Sequence, residues 1–85
     1  METPSFKFRK LEVVGNTATS FLSEGYILKV KFVGLMMCYY KLVHRSNGNI
    51  IEVKAKPSDN LMEIYKNGKK VKSSIIIKEK TDEVC

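Results

Sequence analysis

Two Asn-Gly dipeptides, Asn47-Gly48 and Asn67-Gly68, constrain the fold of this 85-residue chain more than any other feature. Each stands between segments in which apolar and polar residues alternate, within HRSNGNIIEV and EIYKNGKKVK. Asn-Gly is the preferred pair for a two-residue type I′ turn, which joins two antiparallel strands. The sequence therefore predicts two β-hairpins in its second half.

The register of the second hairpin follows from a two-residue turn at Asn67 and Gly68. It pairs Ile64 with Val71, Glu63 with Lys72 and Tyr65 with Lys70. The competing interpretation is a helix over residues 60–66, with Asn60 as N-cap and Gly68 as C-terminal stop. The hairpin is favoured because the following segment VKSSIIIKEK needs a partner strand.

A two-residue turn at Asn47 and Gly48 sets the first hairpin in the same way. It pairs Leu42 with Val53, Tyr40 with Ala55, His44 with Ile51, Lys41 with Lys54 and Tyr39 with Lys56. The apolar pairs predict that the even-numbered face of the first strand is core. Since side chains alternate between faces, a slip of one residue would exchange core and surface.

The segment before this hairpin is predicted to form one long strand bent at Gly34. Even-numbered positions from Tyr26 to His44 are mostly apolar without a change of parity, and Gly34 is the one turn signal among them. A straight strand of this length would span about 60 Å, whereas the radius of gyration of so short a chain is near ~12 Å. The strand must therefore bend, and glycine gives the backbone that freedom.

A further strand is predicted near residues 5–14, SFKFRKLEVV, with a bulge near Arg9 and Lys10 where the apolar parity changes. The sequence as a whole predicts an all-β fold, a small five-stranded, mainly antiparallel barrel or curled sandwich. Residues 1–78 are expected to form one β-domain. Residues 79–85, which show no pattern, are expected to be a mobile C-terminal tail.

Charge and cysteine content indicate the environment and the partners. Fifteen Lys and Arg against nine Asp and Glu give a net charge of +6, with six against three in residues 1–42 and nine against six in residues 43–85. Such a basic body attracts nucleic acid or an acidic protein surface. The chain shows no charged leader and no apolar run near ~20 residues, which predicts a cytoplasmic protein without membrane contact. Cys38 and Cys85 are read as a buried thiol and a terminal thiol.

Catalysis is not predicted. His44 is the only histidine, and it falls on the expected core face. No nucleophile stands beside a base, and no phosphate-binding glycine motif or metal-ligand spacing is present. We therefore expect no enzyme activity, no cofactor and no metal site.

Binding is predicted at the face opposite the expected core. The predicted register sets Lys41 against Lys54 there, beside Tyr39, and like charges in direct opposition destabilise a sheet unless an anion lies between them. Aromatic side chains mixed with cations on a curved sheet are typical of proteins that bind single-stranded nucleic acid. The candidate nucleic-acid-binding residues are Tyr39, Lys41, Lys54, Lys56, Lys29, Lys31, Tyr65, Lys70 and Lys72. Lysines on solvent-facing strands also serve simply to prevent edge pairing.

A contact with another protein is the alternative function. Val33, Leu35 and Met37 form an outward apolar run in the predicted long strand, with lysines as its rim. Such a patch suits an inhibitor or adaptor acting on an acidic protein, or a homodimer. Salt dependence separates the two classes, because phosphate contacts weaken steeply with salt.

Overall fold

The computed structural model describes residues 4–34 and 36–77, with side chains from Arg9 onward. An α-helix is followed by five strands. The elements are α1 Pro4–Ser20, a 3-10 turn Phe21–Glu24, β1 Tyr26–Val33, β2 Cys38–His44, β3 Ile50–Lys56, a 3-10 turn Pro57–Asp59, β4 Leu61–Lys66 and β5 Lys69–Ile75.

The five strands form one antiparallel sheet in sequence order, so each pairs with its neighbours along the chain. The predicted five-stranded, mainly antiparallel β-fold is confirmed. A curled sheet fits this order, which places β1 and β5 at the two ends. The predicted tail, residues 79–85, lies outside the described residues.

The strand expected near residues 5–14 is wrong, because this segment belongs to helix α1. Lys10, Val14 and Ala18, spaced by four, are buried in the same direction. That spacing matches one face of a helix. The alternation of Phe6 and Phe8 with basic residues is too short to fix a strand, and the change of parity at Arg9 and Lys10 reflected the helical period rather than a bulge.

The helix packs across β2, β3 and the turn at Pro57–Asp59. The Lys10 ammonium donates a hydrogen bond to the carbonyl oxygen of Pro57 at 3.1 Å. Gly15 brings the helix backbone close to β2, since a Cβ there would lie 3.4 Å from the hydroxyl of Tyr40. These contacts fix which face of the sheet the helix covers.

The long strand bent at Gly34 is also wrong. Tyr26–Val33 and Cys38–His44 are two antiparallel strands joined by residues 34–37. A bulge between Leu28 and Val30 shifts the register of β1 by one residue. The unbroken even parity in the sequence therefore concealed both a bulge and a hairpin connection.

The bulge changes which side chains of β1 face the helix. Val30 and Phe32, expected in the core, lie opposite Lys41 and Tyr39, so they share the face turned away from the helix. Their side chains are 42% and 57% exposed. Met36, also expected in the core, is 75% exposed beside the connection.

The register of β2 and β3 differs by two residues from the predicted one. Tyr39 lies opposite Lys54, and Lys41 opposite Glu52. The connection is longer than a two-residue turn because the amide of His44 already bonds the carbonyl of Asn49 at 2.8 Å. A shift of two preserves the faces. The predicted opposition of Lys41 and Lys54 is therefore wrong, while the predicted even-numbered core face of β2 is confirmed.

The second hairpin is a hairpin and not the alternative helix. Asn67 and Gly68 have φ values of 52° and 87°, the positive pair that a type I′ turn requires. Tyr65 lies opposite Lys70 as predicted. A bulge in β5 then moves the register by one, so the predicted pairs of Ile64 with Val71 and of Glu63 with Lys72 are replaced by Ile64 with Lys72 and Glu63 with Ser73.

The core lies between α1 and one face of the sheet. It consists of Val14, Ala18, Cys38, Tyr40, Leu42, Ile51, Val53, Ala55, Met62, Ile64 and Ile76. Cys38 is a buried free thiol whose sulfur donates to the carbonyl of Gly34 at 3.3 Å. Among the described residues, no helix is long and apolar enough to cross a membrane.

Asn60 attaches the end of β5 to the turn before β4. Its φ of 55° is left-handed, a conformation that asparagine adopts more readily than most residues. Its amide nitrogen donates to the carbonyl of Ile77 at 2.7 Å, and its side-chain oxygen accepts from the amide of Ile77 at 3.0 Å. The sequence suggested only a helix cap for this residue, because the contact joins positions 17 apart.

Candidate binding face

The sheet face turned away from α1, here called the open face, holds most of the candidate site. Cross-strand pairs identify its members, because paired residues project to the same side. They are Ile27, Val30 and Phe32 of β1; Tyr39, Lys41 and Val43 of β2; Ile50, Glu52, Lys54 and Lys56 of β3; Leu61, Glu63 and Tyr65 of β4; and Lys70, Ser73 and Ile75 of β5.

The centre of the open face is a polar network rather than a cluster of cations. The hydroxyl of Tyr39 donates to the carboxylate of Glu52 at 2.5 Å. This hydrogen bond, together with burial and the negative charge of Glu52, raises the pKa of Tyr39 to about 12. Lys41 and Tyr65 lie directly opposite Glu52 on the two neighbouring strands. The Glu52 carboxylate thus has two hydroxyl groups, those of Tyr39 and Tyr65, and one cationic side chain, Lys41, on the neighbouring strand positions.

A second part of the network joins β3, β4 and β5. The Lys54 ammonium lies 4.4 Å from the centre of the Tyr65 ring, within cation–π range. The Tyr65 hydroxyl donates to Glu63 at 3.2 Å, and the Lys70 ammonium contacts the other oxygen of that carboxylate at 3.3 Å. The hydrogen bond from Lys70 is the main reason that the pKa of Glu63 is lowered.

The network holds side chains in place more than it stabilises the fold. The Lys70 side chain is 50% exposed, and an ion pair in such contact with water contributes little to stability. The main effect of the network is on the net charge of the open face. Glu52 and Glu63 offset two of the four open-face lysines, so the cationic patch that the predicted register implied is partly neutralised.

Strand β1 gives the open face its exposed apolar part. Ile27, Val30 and Phe32 are 41%, 42% and 57% exposed, and Phe32 lies directly opposite Tyr39. Sequence reasoning named none of the three as site residues, and alternation without the bulge assigns Val30 and Phe32 to the core. A register shift at Lys29 leaves no trace in the apolar pattern, so no sequence signal marked it.

The predicted nucleic-acid-binding residues are divided between two faces. Six of them lie on the open face: Tyr39, Lys41, Lys54, Lys56, Tyr65 and Lys70. Lys31 and Lys72 lie opposite Tyr40 and Ile64, hence on the helix side of the two outer strands, and Lys29 occupies the bulge of β1.

The predicted protein-contact residues lie around the connection between β1 and β2. Val33 pairs with Cys38 on the helix side and is 43% exposed. Met37 is 46% exposed and lines a shallow depression of about 230 Å³ together with Lys54, Lys56, Leu61 and Glu63. Leu35 lies outside the described residues. Val33 and Met37 therefore lie on opposite sides of the sheet and do not form one outward apolar run.

The histidine has a structural environment. The His44 Nε2 atom lies 3.0 Å from the carbonyl oxygen of Glu24, and its Nδ1 accepts hydrogen bonds from the amides of Ser46 and Asn47. The ring also packs edge-on against Tyr26. Within residues 4–34 and 36–77, no three metal-ligating side chains come together.

Comparison of the chain with protein-family models, with curated proteins and with solved structures finds no match.

Proposed function

We propose that this chain is a non-catalytic binding module that contacts another protein through the open face. The observation that carries the proposal is the placement of Phe32, Val30 and Ile27 beside a polar network in which Glu52 and Glu63 offset two of the four lysines. Apolar side chains surrounded by polar and charged ones are typical of protein contact surfaces. A surface built mainly for phosphate groups would instead favour unpaired cations.

An acidic partner fits the charge of the chain. The net charge is +6, and the open face keeps more lysines than carboxylates even after Glu52 and Glu63 are counted. Complementary charge raises the rate of association and excludes wrong partners. The same excess of charge disfavours a symmetric homodimer through this face, because two basic surfaces would meet.

Cross-linking with an amine-reactive reagent in an extract of the source organism tests the proposal. Mass spectrometry of the linked peptides should find the partner attached to Lys41, Lys54 or Lys56 of the open face, and not to Lys72 on the helix side. Phe32→Ser should strongly reduce the yield of these links. Val71→Ser is the matched control, since Val71 is 59% exposed on β5 against 57% for Phe32.

Three results would contradict the proposal. Equal linkage to both faces, or equal loss in both variants, would mean that no specific surface is involved. Links between two Lys54 residues of different copies, together with a dimer in light scattering, would identify a homodimer instead.

Single-stranded nucleic acid is the second candidate, favoured by one observation. Phe32 and Tyr39 are a cross-strand aromatic pair on the open face, with Lys41 and Lys54 adjacent. Aromatic side chains on a sheet surface stack on bases in several single-strand binders. If this function is correct, a labelled oligonucleotide of mixed sequence should bind with steep salt dependence, and Tyr39→Ala should cost about 1 to 3 kcal/mol of affinity.

A further inference from the structure

The second half of β1, Val30–Val33, is an uncovered and mainly apolar part of the sheet. Every residue in it is exposed, whereas β2, β3 and β4 each bury alternate residues. Helix α1 packs over β2 and β3, which leaves the helix side of Lys31 and Val33 open. Because β1 is at the end of the sheet, its outer backbone edge also meets no described strand.

An edge strand of this kind has backbone groups that can pair with a further strand. Natural proteins protect edge strands with charge, with bulges or with a covering element, because a free edge pairs readily with other chains. The other edge, β5, carries three lysines and two serines beside the exposed Val71 and Ile75, whereas three of the last four residues of β1, Val30, Phe32 and Val33, are large and apolar. The bulge of β1 lies before this segment and leaves its last four residues in regular register with β2.

We propose that the outer edge of β1 binds an extended, acidic segment of a partner protein, which adds a sixth strand to the sheet. The proposal rests on the proposed contact with another protein and names the kind of segment recognised. Addition of a strand uses backbone hydrogen bonds for affinity and alternate side chains for specificity. The edge supplies the first, and the alternation of apolar residues with lysines along β1 supplies the second.

The side chains of β1 define the pattern of the added strand. Val30 and Phe32 point to the open face, so their new neighbours on that face should be apolar. Lys31 points to the helix side, and it forms no ion pair with a carboxylate of the described residues. A carboxylate beside it in the added strand would form a cross-strand charge pair. The recognised segment therefore alternates apolar and acidic residues.

A synthetic peptide tests this inference directly. The probe is an eight-residue peptide of alternating valine and glutamate, capped at both ends and labelled for fluorescence anisotropy. We expect saturable binding to the full chain. A peptide of the same length in which lysine replaces glutamate should not bind, because it would repel Lys31. The valine–glutamate peptide with methyl groups on alternate backbone nitrogens should also fail, because it cannot complete the ladder.

Two variants separate the edges of the sheet. Lys31→Glu should weaken binding of the valine–glutamate peptide about tenfold, since attraction becomes repulsion across the new strand pair. Lys72→Glu makes the same change of charge on the helix side of β5 and should leave the affinity unchanged. Hydrogen–deuterium exchange should show new protection in residues 26–33 and none in residues 69–75 when the peptide is bound.

Several results would overturn the inference: protection on β5, equal binding of the methylated peptide, or equal effects of the two lysine variants. An oligonucleotide that binds the wild type and is lost in Lys31→Glu, without peptide binding, would assign the edge lysines to nucleic acid. If the peptide fails to bind while Phe32→Ser still removes the cross-links to a partner, strand addition is wrong and the open-face contact stands. If the peptide binds as expected while Phe32→Ser keeps those cross-links, the open-face proposal fails instead.

Discussion

Tyr39 and Tyr40 are adjacent in sequence and lie on opposite faces of β2, and they show what the two faces are built to do. Tyr40 is 4% exposed in the core beneath α1, and burial is the main reason that its pKa is raised. The pKa of Tyr39 is also raised, to about 12, but the largest cause is its hydrogen bond to Glu52. One face excludes water with apolar packing, and the other holds its polar groups with partners of their own.

The difference extends across the whole sheet. On the helix side, the central strands bury Leu42, Val53 and Ile64 almost completely. On the open face, the residues at neighbouring positions of the same strands are Lys41, Lys54 and Glu63, and each is only partly buried. A face that is neither covered nor fully solvated is the natural place for an intermolecular contact.

Removal of each tyrosine in turn gives the largest expected contrast. Tyr40→Ala should lower the free energy of unfolding by about 3 kcal/mol, because it leaves a cavity beneath the helix. Tyr39→Ala should lower it by less than about 1 kcal/mol, because the lost group lies at the partly exposed surface. Denaturant titration of both variants measures the difference. If Tyr39→Ala unfolds the protein and Tyr40→Ala does not, the assignment of the two faces is reversed.

The central strands could be predicted from sequence and the outer parts could not. Alternation in β2, β3 and β4 placed Tyr40, Leu42 and Val53 in the core even with a register error of two, because such an error preserves the face. The bulge at Lys29 reversed the faces of the second half of β1, Val30–Val33, without changing the pattern of residues. Helix α1 was missed because the alternation at its start imitates a strand and its buried residues span a much longer window.

The composition of the candidate site was predicted better than its electrostatics. Tyr39, Lys41 and Lys54 do share a face, as the parity indicated. How far the lysine charges are neutralised depends on the residue that lies opposite each lysine. This pairing follows from the length of the loop at residues 45–49. The Asn-Gly signal indicated a two-residue turn, but Asn47 does not adopt the positive φ that such a turn needs. Glu52 therefore lies where Lys54 was expected.

The turn at Asn67 and Gly68 keeps Tyr65 and Lys70 together on the open face. Substitutions in this turn test the contrast between the faces, with a smaller expected loss of stability than Tyr40→Ala. Gly68→Val should destabilise the protein by about 1 kcal/mol or more, because φ is 87° and a β-branched residue resists that conformation. Asn67→Asp is the matched change and should cost at most about 0.5 kcal/mol. It keeps the oxygen that accepts from the amide of Ile50 at 2.8 Å.

Thermal unfolding of the two turn variants provides the measurement. Nuclear Overhauser contacts between Tyr65 and Lys70 would then report whether the remaining folded population keeps the register. An unchanged melting temperature in Gly68→Val would contradict the type I′ turn. A large loss in Asn67→Asp would mean that the donor from its side chain to Asn49, 3.2 Å away, matters more than the turn conformation.

The smallest expected effect concerns a single proton on the open face. Glu52→Gln removes the negative charge of the group that accepts the hydrogen bond of Tyr39, and it keeps an oxygen that can accept that hydrogen bond. The pKa of Tyr39 should therefore fall from about 12 toward its ordinary value of 10.0, which nuclear magnetic resonance of the tyrosine ring carbons can follow residue by residue. Glu63→Gln, which alters the partner of Tyr65, should leave the pKa of Tyr39 unchanged.

Because the protonated phenol is the form favoured in the folded state, its contribution to stability is complete below pH 10 and disappears as the pH rises from 10 to 12. In Glu52→Gln this alkaline loss should be smaller, and an unchanged titration of Tyr39 would mean that burial rather than Glu52 sets its pKa, as it does for Tyr40 on the other face.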